Sequence, residues 1–321
     1  VTRGCHWNKC YFCDLYKKYK FSRRRYEEIE EDLKKAADSE YAQNYTTCFL
    51  QDGDAFVLRT EFLMQILEGI HKYLPNIKHV TTYARADSIA RKSVSELREL
   101  KTAGIEHLYC GMETGSDLIL RKINKGFDAA TIIISGTKAK EAGMVLSEFT
   151  LFGIGGKELA EENAVETAKV LNVIKPDFVR VHATGIKLSS EMWNYVKNKE
   201  LTLQSEEEIV SEQKIMLELL ADDMDCIYMN EHIVNLLLEV RGNIRTDKQN
   251  MLETINTYLQ LPKQEQELFN LGRRLNIMFF LADLNNRAKR KQTEERLRKI
   301  KTQNPDLDLA FVCNYVRQTQ I

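Results

Sequence analysis

The sequence has little proline and no long apolar run. Four prolines and 15 glycines among 321 residues leave little room for linker-like segments. No stretch of about 18 apolar residues is present, so neither a transmembrane helix nor a secretory signal is indicated. Lysine plus arginine number 46 and aspartate plus glutamate 47, so no whole-chain field attracts nucleic acid or an anionic membrane. Any charged partner must meet a local patch, and no membrane partner is expected.

The seven cysteines do not form the pattern of a disulfide framework. Their number is odd, and three of them are crowded into one short loop. We therefore expect a protein of the reducing cytoplasm. The four remaining cysteines stand alone and are interpreted as small buried side chains: Cys48, Cys110, Cys226 and Cys313.

Three cysteines lie near the start of the sequence in the spacing C-x4-C-x2-C: Cys5, Cys10 and Cys13. A [4Fe–4S] cluster has four irons and normally four cysteine ligands, so three thiolates leave one iron open to another ligand. A structural zinc site would need a fourth protein ligand, for which only His6 or Asp14 is adjacent. The spacing favours the cluster, and zinc is the competing interpretation.

After the cysteine loop, helical and extended patterns alternate in units of about 30 residues. Because the loop follows Val1 almost at once, we expect upstream residues to be missing and the first strand to be seen only at its tail. Helices are predicted over residues 26–37, 61–72 and 94–101. Glycines 104 and 143 are predicted to end helices in a left-handed conformation. Strands are predicted at Thr47–Leu50, His79–Tyr83, His107–Gly111, Val145–Phe152 and Phe178–Ala183.

Six strands, counting the truncated first one, indicate a parallel sheet covered by helices. Both a full or partial barrel and an open doubly wound sheet fit the alternation. Polar or glycine-rich clusters follow several strands in turn, which favours a barrel with its active face at the carboxyl ends of the strands. A Rossmann sheet would concentrate this signal in one early glycine loop. The clusters are residues 4–13, 52–54, 113–117 and 153–156.

Beyond about residue 187 the pattern becomes rich in helices, most clearly over residues 206–220 and 250–259. Residues 264–301 are strongly charged and are interpreted as a solvated helix. We therefore predict three segments. They are the barrel at 1–190, a mostly helical completion of the core at 191–260, and a charged helical tail at 261–321.

The cysteine loop, the turn Asp52–Ala55 and the sequence Gly-Met-Glu-Thr-Gly-Ser-Asp at 111–117 together resemble a radical S-adenosylmethionine (SAM) enzyme over roughly residues 1–190, and faintly to about 260. The commonest spacing in that superfamily is C-x3-C-x2-C, one residue shorter than here. The longer loop with its Asp-Gly-Asp-Ala turn is similar to an uncharacterised branch of the elongator, methylthiotransferase and coproporphyrinogen oxidase-like group. The resemblance implies an α/β fold, a partial (β/α)6 TIM-like barrel with a helical C-terminal extension.

The resemblance also implies a cofactor site. The three loop cysteines would bind the [4Fe–4S] cluster, and the methionine part of SAM would chelate the fourth iron. Phe12, the aromatic residue before the last cysteine, would lie by the adenine. The turn with Gly53 and Asp54 would receive the methionine amino group. The family commonly has Gly-Gly-Glu in that turn, so Asp54 would act there with a shorter carboxylate.

Further cofactor contacts are predicted on later strands. Glu113 ends an apolar strand, where a carboxylate can hold the ligand's ammonium or ribose hydroxyls. Ser147 is expected to face the ribose, and Gly153 begins a glycine loop that lets the backbone approach the adenosine. Lys125-Gly126 resembles a short signature of the same group, and a plain turn between helices is the other interpretation.

Candidates for the substrate side are Arg180 and His182, on one face of the sixth predicted strand, and His232 with Asn235 further along. A structural histidine is the alternative interpretation for each imidazole. The basic run at residues 17–25 mixes cations with aromatic rings, as a nucleic-acid or phosphate contact does. A solvated loop explains the run equally, because the overall charge is balanced.

These features predict a radical SAM enzyme in which a reduced [4Fe–4S] cluster cleaves SAM and a 5′-deoxyadenosyl radical abstracts hydrogen from a substrate. Its reductant would be of flavodoxin or ferredoxin type, and its cluster would be oxygen-sensitive. The substrate (modified RNA, a tetrapyrrole or a small metabolite), the catalytic residues and the fate of SAM stay open. Two alternatives remain: a non-catalytic iron–sulfur electron carrier or sensor, and a zinc-stabilised RNA-binding protein.

Overall fold

The computed structural model describes residues 1–303 and 306–320, and its strands and helices alternate along the first part of the chain. The strands are β1 (Thr2–Arg3), β2 (Ser22–Arg23), β3 (Thr47–Leu50), β4 (His79–Ala84), β5 (Ile105–Glu113), β6 (Val145–Phe152), β7 (Phe178–Ala183), β8 (Ile227–Met229) and β9 (Gly242–Asn243). The helices are α1 (Tyr26–Ala37), α2 (Thr60–Tyr73), α3 (Ala86–Ala90), α4 (Val94–Thr102), α5 (Asp117–Lys122), α6 (Ala129–Glu141), α7 (Ala160–Ile174), α8 (Met192–Lys197), α9 (Glu206–Leu219), α10 (Ile244–Leu259), α11 (Lys263–Arg274), α12 (Arg287–Gln303) and α13 (Leu309–Thr319). Short 3-10 helices lie at Ala42–Asn44, Ala55–Val57, Lys157–Leu159 and Leu281–Asn285.

The main sheet contains seven strands in the order β3-β4-β5-β6-β7-β8-β9. The pairs β3/β4, β4/β5 and β7/β8 are parallel, and β9 runs antiparallel to β8. The strands predicted from the sequence as β3 to β7 are all present. Two differences appear: β8 and β9 were not predicted, and Thr2–Arg3 pairs antiparallel with Ser22–Arg23 in a separate sheet rather than joining the main one.

Several helices begin at a residue whose side chain satisfies a free backbone N–H. Ser93 and Glu96 form a capping box at the start of α4, and Ser205 and Glu208 form one at the start of α9. Asp128 accepts the backbone N–H of the third residue beyond it at the start of α6. These helix starts are therefore determined by local sequence.

Two glycines end helices as predicted. Gly104 follows α4 with φ +114°, and Gly143 follows α6 with φ +73°. A side chain in this left-handed region is strained, so glycine is the residue that lets the chain turn from each helix into the next strand.

One compact unit comprises Val1–Glu113 and Leu120–Phe149. Its helix α2 buries Leu63, Ile66, Leu67 and Ile70, which recur at helical spacing along one face. On β4, residues 80, 82 and 84 are buried and alternate with exposed or half-buried neighbours. The sheet of this unit therefore has one fully buried face and one more accessible face.

The more accessible face of β3 to β6 carries a row of rings. Phe49 contacts Tyr83 and Tyr109, with ring centroids 4.8 Å and 5.6 Å apart. Tyr109 also stacks on His107 at 4.3 Å and lies 6.2 Å from Phe149. These rings give the face a continuous aromatic surface.

The second compact unit comprises Thr114–Ile119 and the described residues from Thr150 onward. At its centre is a fully buried ion pair, in which the Arg274 guanidinium donates two hydrogen bonds of 2.8 Å to the Glu206 carboxylate. The Arg317 Nε lies 3.6 Å from the same carboxylate. Burial would raise the pKa of Glu206, but the two guanidinium groups outweigh burial and lower it to about 2.

Helix α13 belongs to this second unit through contacts far apart in sequence. The Asn314 side chain accepts a hydrogen bond from the Ile186 backbone N–H at 3.1 Å, and Gln318 accepts one from the Leu188 N–H at 2.9 Å. A Cβ at Gly185 would lie 2.7 Å from the backbone nitrogen of Gln318, so glycine permits this close approach. The strand-to-helix connection after β7 is therefore completed by the last described helix.

The charged region after residue 260 is only partly solvated. Helix α12 buries Thr293 alone, which agrees with a solvated helix, whereas α11 buries a wide face that includes both Arg273 and Arg274. The sequence interpretation as a solvated helix is therefore wrong for α11, because its arginines are paired or packed inside the unit. The predicted segment boundaries at residues 190 and 260 stay predictions.

Two further expectations concern burial. Cys110, Cys226 and Cys313 are buried as expected, and Cys48 is half-buried. Over residues 1–303 and 306–320, no helix combines the length and the apolar character that crossing a bilayer requires.

The Glu206 ion pair predicts a stability effect with a defined pH dependence. Glu206→Gln leaves two buried guanidinium groups without their carboxylate, and we expect it to lower the free energy of unfolding by about 3–5 kcal/mol at pH 7. Because the pKa of Glu206 is about 2 in the folded protein and ordinarily 4.5, the contribution is complete above pH 4.5 and is lost as the pH falls toward 2. Urea unfolding at several pH values measures both effects.

The matched control is Glu231→Gln, which removes a carboxylate from an exposed pair with Arg241. This change should cost less than about 1 kcal/mol. Equal stability of Glu206→Gln and wild type at pH 7 would contradict the prediction.

Candidate active site

The cysteine loop is held by contacts with the turn that follows α5. The Tyr11 backbone N–H donates to the Ile123 carbonyl at 2.9 Å, and the Trp7 indole N–H donates to the Asn124 carbonyl at 2.8 Å. In return, the Asn124 side chain donates to the Lys9 carbonyl at 3.1 Å. Three hydrogen bonds thus join segments more than 110 residues apart.

Glycine makes room for the loop at the same turn. Gly126 has φ +86°, and a Cβ there would overlap the ring of Trp7. On the other side, a Cβ at Gly53 would lie 3.1 Å from the Cβ of Cys5 and 2.7 Å from the Tyr16 ring. The predicted site residue Gly53 therefore lies directly against the cysteine loop.

The three cysteines differ in burial. Cys10 is 8% exposed, whereas Cys5 and Cys13 are half-buried. Burial raises the pKa of the Cys10 and Cys13 thiols, so positive charge has to be supplied before thiolates form there. Cationic irons supply such charge, and each thiolate of a four-iron cluster binds a different iron.

A single metal ion fits the loop less well. Within the residues that the structure describes, no three His, Cys, Asp or Glu side chains are grouped as ligands of one ion. The donor set of the loop is sulfur, which suits iron–sulfur clusters and zinc alike. The loop thiols therefore fit a cluster, whose ligands need not converge on one point.

Asp54 lies fully buried at the turn after β3 and is already surrounded by donors. Its carboxylate accepts hydrogen bonds from the Ser88 hydroxyl at 2.5 Å and from the Arg85 backbone N–H at 3.3 Å. The His6 Nδ1 lies 2.9 Å from it, and the His6 Nε2 lies 3.6 Å from Asp87. Burial would lower the pKa of His6, but the two carboxylates outweigh burial and raise it.

Glu113 and Lys125 form a buried ion pair beside the cysteine loop. Glu113 ends β5 with φ +66°, and its carboxylate accepts a hydrogen bond from the Lys125 ammonium at 2.5 Å. Lys125 is 5% exposed, and its ammonium lies 5.9 Å from the centre of the Phe12 ring. Burial would lower the pKa of Lys125, but Glu113 and Cys10 outweigh burial and raise it, so the ammonium is charged.

Arg85 joins this ion pair to the cysteine loop. Its guanidinium donates to the Lys125 carbonyl at 2.8 Å and forms an ion pair with Asp87 at 2.9 Å. The same group lies 5.4 Å from the centre of the Trp7 ring and 4.9 Å from that of Phe127. A cation placed between two rings is fixed in position.

The structure therefore brings together most of the site residues predicted in the first unit. The three cysteines, Phe12, Gly53, Asp54 and Glu113 are linked through the contacts above. Ser147 is buried within hydrogen-bond distance of the His107 Nε2, at 2.8 Å. Gly153 belongs to the second unit, where it has φ +81° and its N–H donates to Glu212 at 3.0 Å.

Sequence reasoning missed or undervalued three residues of this site. Lys125 was left equally open as a plain turn, although the Asn-Lys-Gly sequence after an amphipathic helix was a usable signal. His6 was considered only as a zinc ligand. Arg85 gave no signal, because its contacts come from segments remote in sequence.

The residues predicted for the substrate side lie in the second unit. The rings of His182 and His232 are 4.3 Å apart, and the parallel strands β7 and β8 lead into them. Burial lowers the pKa of His182 to about 4, so its imidazole is neutral at pH 7. Asn235 instead bonds to the backbone of β7, at the Ala183 N–H and the Val181 carbonyl, which is a structural role.

Comparison with known proteins gives relatives for both sequence and fold. The family profile described as the radical SAM superfamily matches residues 1–171, more than half of the chain. Among curated proteins, the heme chaperone HemW of Bacillus subtilis (strain 168) is 22% identical over 214 residues, which cover 65% of this chain and 55% of HemW. The resemblance predicted from the motifs, including its coproporphyrinogen oxidase-like branch, is confirmed.

Solved structures add the fold. The cobalamin-dependent SAM radical enzyme OxsB, with aqua-cobalamin and SAM bound, is 14% identical with a TM-score of 0.53, covering 99% of this chain and 52% of OxsB. Coproporphyrinogen III oxidase (HemN) from Escherichia coli is 15% identical with a TM-score of 0.48, covering 65% and 49%. The chain thus spans about half the length of these relatives. The predicted α/β partial barrel with a helical C-terminal part is confirmed.

The contact of Gly126 with Trp7 predicts that Gly126→Ala opens the cysteine loop. The new methyl group displaces the indole, and we expect Cys10 to react with a thiol reagent at least about tenfold faster, as a previously buried thiol does once exposed. The rate of thiol modification in native protein measures this.

Gly143→Ala is the matched control. Its φ of +73° imposes a similar backbone strain, but the new Cβ meets only the flexible end of Lys101. Faster Cys10 modification in both variants would show that strain alone, rather than the Trp7 contact, opens the loop.

Proposed function

The chain belongs to the radical SAM superfamily, and we propose that it is an enzyme that binds a [4Fe–4S] cluster through Cys5, Cys10 and Cys13 and cleaves SAM reductively beside it. The observation that supports this proposal is the attachment of the cysteine loop to the turn at residues 123–126. That attachment places the buried Lys125–Glu113 ion pair next to Cys10. A site with sulfur donors on one side and a matched ion pair on the other suits a zwitterionic cofactor.

Bound at this loop, the cluster supplies the electron that breaks a carbon–sulfur bond of the SAM sulfonium group. Three protein thiolates leave one iron for the amino and carboxylate groups of the cofactor. The protein's own part is to hold these thiolates, exclude water around Cys10 and orient the ligand. The reaction is expected in an anaerobic or microaerobic cytoplasm.

Lys125 and Glu113 are proposed to hold the charged ends of SAM. The Lys125 ammonium would pair with the methionine carboxylate, since it is the buried cation nearest the loop thiols in their electrostatic surroundings. Glu113 would then accept the ligand's ammonium or a ribose hydroxyl. The exchange keeps both buried charges paired, which is the condition for burying them.

The remaining predicted contacts are part of the same proposal. Phe12 would lie by the adenine, Ser147 would face the ribose, and the glycine loop at Gly153 would approach the adenosine. Asp54, beside Gly53, would receive the methionine amino group. For Asp54 this requires exchange of one of its present donors, of which His6 is the most exposed.

A haem-related role is the second candidate function. The similarity to a heme chaperone over 65% of this chain favours a tetrapyrrole as the bound molecule. Titration of the protein with haem, followed by its absorption band, tests this role, and saturable binding at one equivalent would support it. Absence of saturable binding would leave hydrogen abstraction from another substrate class.

The proposed reaction predicts formation of 5′-deoxyadenosine. The protein, reconstituted with iron and sulfide without oxygen, should release this product when given SAM and dithionite. Cys10→Ala should abolish the four-iron absorption and the product, because a ligand is lost. Cys226→Ala is the control, since Cys226 is buried within the second unit, and it should retain both.

Other outcomes distinguish the rival functions. A reduced four-iron cluster that yields no 5′-deoxyadenosine would identify an electron carrier or sensor. Zinc in place of iron in protein purified without oxygen would identify a zinc-stabilised protein.

The role of Lys125 predicts a change in cofactor affinity. Lys125→Met removes the partner of the SAM carboxylate, and we expect the Kd for SAM to rise at least about tenfold, as one charged hydrogen bond of about 1.5–3 kcal/mol implies. Calorimetry on cluster-loaded protein measures it, and Lys125→Arg should restore part of the affinity. An unchanged Kd in Lys125→Met, with cluster content intact, would remove Lys125 from the binding site.

A further inference from the structure

Residues 15–25, here named the basic loop, follow Cys13 directly and are largely exposed. Leu15 and Tyr19 are 61% and 63% exposed, which is unusual for apolar side chains of their size. They stand among exposed cations of the same loop: Lys17, Lys18, Lys20, Arg23 and Arg25. The basic loop thus presents an apolar centre surrounded by positive charge.

The basic loop packs on the cysteine loop. The Asn8 side chain, which lies between Cys5 and Cys10 in sequence, donates to the Tyr16 carbonyl at 2.7 Å and to the Tyr19 carbonyl at 3.4 Å. The Lys17 ammonium donates to the Asn8 carbonyl at 3.2 Å. A Cβ at Gly4 would lie 3.6 Å from the Cβ of Tyr19. A partner bound on the basic loop is therefore one layer of residues away from the thiols.

Part of this charge is not used inside the chain. Arg24 forms an ion pair with Asp32, and Arg25 lies 3.9 Å from Glu28. In the described residues, by contrast, Lys18, Lys20 and Arg23 have no carboxylate within ion-pair distance. Since the whole chain has a net charge of −1, these cations form a local positive field that attracts an acidic partner.

We propose that the basic loop is the docking surface for an acidic one-electron carrier protein of flavodoxin or ferredoxin type. This inference rests on the proposed function, because a cluster that cleaves SAM has to receive an electron. One electron leaves the carrier, which is thereby oxidised, and reduces the docked protein, and no covalent bond changes. Electron transfer slows steeply with distance, which favours docking directly over the cysteine loop.

An RNA partner fits the basic loop less well. RNA-binding domains commonly have a pI above about 9 and basic residues spread over a face, whereas this chain has a pI of about 6.7. Small charged surfaces with an apolar centre are typical of short-lived redox complexes, which bury less than about 1,200 Å².

The test uses the double variant Lys18→Glu/Lys20→Glu and an acidic flavodoxin. We expect its Kd for oxidised flavodoxin, measured by fluorescence anisotropy at low ionic strength, to rise at least about tenfold, because steering charges are reversed. Wild-type affinity should fall with added salt, and the variant's should change less. Flavodoxin-supported 5′-deoxyadenosine formation should fall by a similar factor, while dithionite-supported formation stays unchanged.

The control variant Lys291→Glu/Lys299→Glu reverses two exposed charges on α12, in the second unit. It should bind flavodoxin as the wild type does, which separates a local effect from one of net charge. If Lys18→Glu/Lys20→Glu fails to load iron, Lys18→Gln/Lys20→Gln and the salt dependence of the wild type decide the question.

Unchanged flavodoxin affinity in the double variant would overturn the proposal. Loss of binding to a single-stranded RNA, with flavodoxin binding intact, would assign the basic loop to RNA instead. Failure of the proposed function is distinguishable, because wild-type protein would then yield no 5′-deoxyadenosine with dithionite, whatever the flavodoxin affinity.

Discussion

The arrangement of the site depends on the attachment of the cysteine loop to the turn after α5. Trp7 and Tyr11 bond to backbone carbonyls at Asn124 and Ile123, and Gly126 leaves the space that the indole ring fills. A loop of this length has many conformations available in isolation, and ordering it costs entropy that only such contacts offset. The positions of the thiols are thus a tertiary property, set by residues more than 100 positions away.

The same turn carries the buried charge of the site. Replacing a buried ion pair by well-packed apolar residues is often neutral or stabilising, so the Lys125–Glu113 pair is weak evidence for stability. It is better explained by the chemistry that needs it. Arg85 adds a second cation held between rings, and together these groups make the surroundings of Cys10 electropositive, as bound thiolates require.

Local pattern predicted most of the fold, because helices and strands of ordinary length repeat their apolar residues often enough to be recognised. Strands β8 and β9 have three and two residues, too few for any periodicity. The cysteines and Glu113 were predictable because their residue types and positions after strands carry chemical meaning. The pairing of His6 with Asp54, and the burial of Lys125, were not predictable, because they arise only when separate segments meet in space.

Helix α13 has a consequence for synthesis of the chain. The backbone N–H groups of Ile186 and Leu188 find their acceptors on Asn314 and Gln318, about 130 residues later. Chains fold from the N-terminus as they leave the ribosome, at about 5–20 residues per second. The segment after β7 must therefore wait several seconds for its partners, and during this interval it is a natural binding site for chaperones.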